Sequence, residues 1–119
     1  MPIANRRWTF NALVLSGAPQ EPGVYALFED DEVVYYGSAV QGSTIQSALH
    51  EIFLRVQAGR AGCLQNVNRY TWEITYRPRL REAELLREFE LSHRHPPRGN
   101  EAPSLPVDSP DVARQLRNS

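Results

Sequence analysis

At 119 residues the chain has the length of one domain with a core of ordinary size. A formal net charge of −1 excludes nucleic-acid binding by bulk positive charge alone, and the single cysteine, Cys63, excludes an internal disulfide. That lone thiol reads as a small core residue in a reducing compartment; no apolar stretch reaches transmembrane length, so no membrane contact is expected and the expected location is the cytoplasm.

Residues 1–19 form a leading segment expected to pack on the domain. Its apolar stretch at 10–15 fits a strand or a helix. Arg6-Arg7 ahead of Trp8-Thr9-Phe10-Asn11-Ala12-Leu13-Val14-Leu15 faintly imitates a signal peptide, but the run is short and is broken by Thr9 and Asn11. Pro19 and Pro22 then punctuate the approach to two aromatic blocks, Gly23-Val24-Tyr25 and Tyr35-Tyr36-Gly37. Between them lies the acidic turn Glu29-Asp30-Asp31-Glu32. Apolar and aromatic runs on both sides of a polar tetrapeptide predict a β-hairpin. Closed around residues 30 and 31, it sets Tyr25 and Tyr35 nearly opposite each other, with phenolic tips able to converge.

A Ser-Ala-Val-Gln-Gly linker follows Gly37. Ser43, three residues before Gln46, has the spacing of a capping box and predicts a helix start. Ile45, Leu49, Ile52, Phe53 and Val56 then recur at helical spacing as a core-facing stripe, which Gly59 and Gly62 end. Residues 70–76 alternate and are β-rich, predicting a third strand. Pro78 suits the first turn of a second helix, packed through Leu85, Leu86 and Phe89 and stopped by Pro96-Pro97. From Glu101 the chain turns to Pro, Ser, Asp and Arg, and 101–119 reads as a loosely ordered tail. The expected fold class is α+β: a small three-stranded antiparallel sheet flanked by helices, in the order β-β-α-β-α, over residues 20–100.

The chain contains no lysine. Arg69, Arg77, Arg79, Arg81, Arg87, Arg94 and Arg98 crowd its C-terminal third. A guanidinium is the better fork for phosphate, although a solvated helix face paired with glutamates has the same composition. His93 and His95, two residues apart, fall on different sides of a helix with no Cys or Asp cluster beside them, which argues against a zinc site.

The element order, with Gly-Val-Tyr and Tyr-Tyr-Gly on the first two strands, resembles the GIY-YIG nuclease superfamily over roughly residues 20–100. Leu86-Arg87-Glu88-Phe89-Glu90-Leu91 and Pro97-Arg98-Gly99-Asn100 are similar to that family's acidic helix and closing Pro-x-x-Asn. The resemblance implies metal-dependent hydrolysis of DNA phosphodiester bonds. A glutamate on the second helix would hold Mg2+, a tyrosine would help take a proton from water, and an arginine would offset charge in the transition state. Tyr25 and Tyr35 match the family's tyrosines, and Gly37 matches its glycine, expected to turn the chain toward the first helix. Glu88, twelve residues before Asn100, is the expected catalytic and metal glutamate; Glu84 comes second and Glu82 third. Gly37, Arg55 and Asn100 form the expected substrate-binding set.

One departure weakens this match. The family's first helix carries arginines in a pattern like Thr-Ile-Arg-x-Arg-Leu, with a histidine one turn on. Here Gln46 and Ala48 stand at the arginine positions and Ile52 at the histidine position. His50 points about 160° away, and Arg55 lies about 10 Å further along the same face as Ala48. An arginine of this kind is worth on the order of 10³–10⁵ in rate. The expectation is therefore an endonuclease if the site is active; the alternatives are a catalytically degenerate nucleic-acid-binding module or a structural, protein-interaction domain.

Overall fold

In the computed structural model of the chain, residues 3, 6–40 and 42–101 are described. The expected tail at 101–119 lies outside them except for Glu101. Strand β1 spans Trp8–Thr9, helix α1 Ala12–Leu15, strand β2 Gly23–Glu29 and strand β3 Glu32–Ala39. Helix α2 spans Ile45–Gln57, strand β4 Arg69–Ile74 and helix α3 Pro78–His93. The strands form one antiparallel sheet in the order β1-β4-β2-β3, so the class is α+β. Among the described residues no helix is long and apolar enough to cross a membrane.

Among the described residues the sheet has four strands rather than three. Two residues are too few to show alternation, so β1 exists only through its partners: Trp8 opposes Tyr70 and Thr9 opposes Arg69. The apolar stretch at 10–15 divides. Phe10 enters the core, and Asn11 caps α1 by accepting a 2.9 Å hydrogen bond from the Val14 amide.

β2 is central, paired on both sides, and every residue from Gly23 to Phe28 is buried. Alternation still divides its side chains between two cores. Tyr25 and Leu27 join Leu15, Ile45, Leu49 and Tyr70 on the face under α1 and α2. Val24, Ala26 and Phe28 join Tyr36 and Leu85 on the face under α3. Leu85 is 1% exposed, a burial worth about 1.5–3 kcal/mol.

The hairpin closes as the acidic turn predicts, with Glu29 opposite Glu32 and Phe28 opposite Val33. The next pair is Leu27 with Tyr35, so Val34 is an extra residue and β3 carries a β-bulge. Arg98 ion-pairs with both Glu29 and Glu32, offsetting two like charges set directly opposite each other.

α2 starts one residue later than the Ser43–Gln46 pair suggests. Thr44 is the cap and Ser47 its partner, each side chain bonding the other's backbone amide. Gln46 instead tethers α2 to the loop after α1, donating to the Ser16 carbonyl at 2.8 Å and accepting from Gln20. On α3, Arg81 holds Glu73 of β4 with two hydrogen bonds and pairs with Glu84. Part of the arginine-rich third is thus engaged with carboxylates of the same chain. Cys63 is exposed, not a core residue: it sits in the 3₁₀ turn Gly62–Leu64, whose buried member is Leu64.

Candidate functional site

Tyr25 and Tyr35 point to the same face of the sheet. Tyr25 opposes Gly37 and Tyr35 opposes Leu27, so the two are diagonal neighbours with ring centroids 6.2 Å apart. Gly37 makes this possible. A Cβ there would stand 2.4 Å from both Cζ and Oη of Tyr25. Gly37 lies inside β3 and serves by lacking a side chain, not by turning the chain toward α2; the left-handed residue on that path is Gly42, at φ 95°.

The two phenols open into a cleft of about 300 Å³ whose wall is one face of α2. Ala48, Ile52 and Arg55 succeed one another along that wall, and Glu51, Ser38 and Arg60 are among the other lining residues. Arg55 therefore shares a cavity with both tyrosines, although it lies two turns beyond Ala48. His50 does not: it lines a separate depression with Ala12, Ser16 and Gln46.

Burial raises the Tyr25 phenol far above its ordinary value. Tyr35, Glu82 and Glu51 push it further up, and Arg55 pulls it down. Tyr35 is raised by burial and then by Glu82, again opposed by Arg55. Both phenols are therefore protonated at neutral pH and face the cleft as hydrogen-bond donors.

The α3 carboxylate whose field reaches both phenols is Glu82. Glu88 is not brought to the tyrosines. It lines a cavity with Tyr36 and Phe89 and raises the Tyr36 phenol after burial does, on the α3 side of the sheet. Glu84 is held by Arg81 at 3.2 Å. Asn100 is a clamp: its Oδ1 accepts from the Tyr36 amide at 2.8 Å and its Nδ2 donates to the Tyr36 carbonyl at 2.9 Å. That pair mimics a further strand against the bulged edge and draws the segment after α3 onto β3.

Among the described residues no group of three or more His, Cys, Asp or Glu is placed to hold a metal ion. Magnesium keeps most of its waters and needs one or two carboxylates. Glu82 fits that modest demand: it is half-buried and has no hydrogen-bond or ion-pair partner among the described residues. Glu51 lines the cleft itself.

Glu82 was legible in one respect. It precedes Leu85 and Leu86 by three and four residues and Phe89 by seven, so it extends the buried stripe of α3 by one turn. A carboxylate at the end of an apolar stripe is the signal. Arg60, beyond the end of α2, had none. Comparison with models of known protein families, with curated proteins and with solved structures gave no match.

Proposed function

We propose that the cleft takes a nucleic-acid phosphate and that the chain is a GIY-YIG-type, metal-dependent DNA endonuclease, with Glu82 rather than Glu88 as its α3 glutamate. The observation that carries this reading is Arg55. Helix α2 brings a guanidinium into the cavity of Tyr25 and Tyr35 although positions 46 and 48 hold none. The missing first-turn arginine is thereby replaced from further along the same face.

In this reading the Tyr25 and Tyr35 hydroxyls donate to phosphate oxygens, and Arg55 offsets the charge that grows in the transition state. Glu82, which acts on both phenols, would hold the magnesium ion, and Glu51 lines the cleft. When bound, that ion supplies neutralisation of phosphate oxygen and leaving alkoxide. Protonated phenols suit binding and orientation; proton removal from water is not a task their raised pKa favours.

A second reading is that of a nucleic-acid-binding module that does not cut. Ala48 and Gln46 favour it, because Gln46 is committed to holding the α1 loop and Ala48 brings no charge to the wall. Cleavage of plasmid DNA with and without magnesium separates the two. Glu82→Gln is expected to abolish cleavage, and Glu88→Gln to leave it largely intact. Loss of activity only in Glu88→Gln would overturn the assignment. DNA binding without any cleavage by the wild type would establish the second reading.

A further inference from the structure

Helix α2 does not simply stop at Gln57. Ala58 donates to Leu54, Gly59 to Val56 and Arg60 to Arg55, the last through a 2.8 Å bond from the Arg60 amide to the Arg55 carbonyl. Gly59 adopts the left-handed conformation, φ 71°, that such a reversal requires. The turn folds the chain back on the helix end and brings the Arg60 side chain to the cleft that Arg55 already lines. Neither guanidinium has a hydrogen-bond or ion-pair partner among the described residues. Among the described residues that line the cavity, Arg55 and Arg60 stand with one carboxylate, Glu51; Glu82 acts on the phenols from outside that lining.

The two arginines do not occupy equivalent places. Arg55 reaches the cleft from the last turn of α2, and Arg60 from the turn beyond Gly59.

We propose that Arg60 is a second phosphate-binding residue: it holds the phosphate next to the one at the tyrosines, so that the cleft takes a strand segment carrying at least two consecutive phosphates. This rests on the nucleic-acid reading above and deepens it. Because Arg60 enters from beyond the helix end and Arg55 from the helix wall, Arg60 is assigned to binding and register and Arg55 to the reacting phosphate. A guanidinium fork suits a phosphodiester oxygen pair, and each phosphate neutralised releases counterions, which makes the contact countable.

The test is binding of a short fluorescent single-stranded oligonucleotide by anisotropy, without magnesium, over a series of salt concentrations. Arg60→Gln is expected to flatten the slope of log affinity against log salt by about 0.7, the value of one contact on a single strand. Arg60→Lys is expected to restore most of it. Arg79→Gln, an exposed arginine that does not line the cleft, serves as the charge control and is expected to keep the wild-type slope. An unchanged slope in Arg60→Gln, an equal loss in Arg79→Gln, or no binding by the wild type would each overturn the proposal. Absence of cleavage, with binding and the Arg60 effect intact, would remove only the endonuclease reading.

Discussion

The phenol of Tyr25 lies against Gly37, with its Cζ and Oη 2.4 Å from where a Cβ on residue 37 would stand. Tyr25 is only 5% exposed and cannot swing away freely. Gly37→Ala is therefore expected to cost about 1–3 kcal/mol, as overpacking does. Urea denaturation measures it. Removing the obstructing ring should relieve the clash, so the double variant Tyr25→Ala/Gly37→Ala should lose less than the two single losses added together. Strict additivity would show that the contact is not what limits residue 37.

Alkaline pH should weaken the fold early. Tyr25, Tyr35, Tyr36 and Tyr70 all have raised phenol pKa values, with burial the largest cause in each. In the unfolded chain they ionise near their ordinary value, about 10. Above that pH the unfolded state has released protons that the folded state keeps, so stability falls as pH rises. Below it both states are protonated and the phenols impose no slope. Denaturation midpoints that stay level from pH 9 to 11 would contradict this.

Asn100 should behave as a structural residue. Asn100→Ala leaves the part-buried Tyr36 amide and carbonyl without their side-chain partner, at an expected cost of about 1–3 kcal/mol. Asn100→Asp keeps the acceptor for the amide but sets a carboxylate against the carbonyl, and is expected to lose stability as well. Nucleic-acid affinity per folded molecule should hardly move. Weakened binding at full stability would instead make Asn100 a substrate contact.

Ala48 lines the cleft and is only partly buried, so a longer side chain has an exit to solvent. Ala48→Arg is expected to tighten DNA binding and steepen its salt dependence by about one phosphate contact. If the wild type cuts DNA, the rate should rise as well, through a second cation beside the phosphate. A normally folded variant with no gain in either assay counts against both nucleic-acid readings.

The hairpin, both long helices and the strand at 69–74 could be read from the chain because periodicity reports which face is buried. Ile45, Leu49, Ile52, Phe53 and Val56 form one stripe and pack on one core. Leu85, Leu86 and Phe89 form another and pack on the other. Strand β1 escaped notice because a two-residue strand has no period, and Cys63 because burial in a short turn follows contacts rather than pattern. The cap of α2 was misplaced by one residue because Ser43 and Thr44 both have a suitable hydroxyl.

The amino-acid order alone determined that aromatic strands meet in a hairpin, where the helices run and which residues they bury. It did not determine which side chains share a cleft. With the hairpin closed around residues 30 and 31, an unbroken register would set Tyr25 opposite Tyr36 and turn Tyr35 to the other face. The extra residue Val34 shifts the pairing by one, and only then do Tyr25 and Tyr35 stand together. The surroundings of Glu82, Glu84 and Glu88 turned likewise on how α3 lies across the sheet: Glu82 acts on both phenols, Glu84 pairs with Arg81, and Glu88 acts on Tyr36. Arg55 and Arg60 line one cleft because a left-handed glycine folds the chain back at the end of α2. In each case the deciding quantity is a shift of one residue or a rotation of one element. Local periodicity carries no record of either, because both follow from packing between segments far apart in the chain.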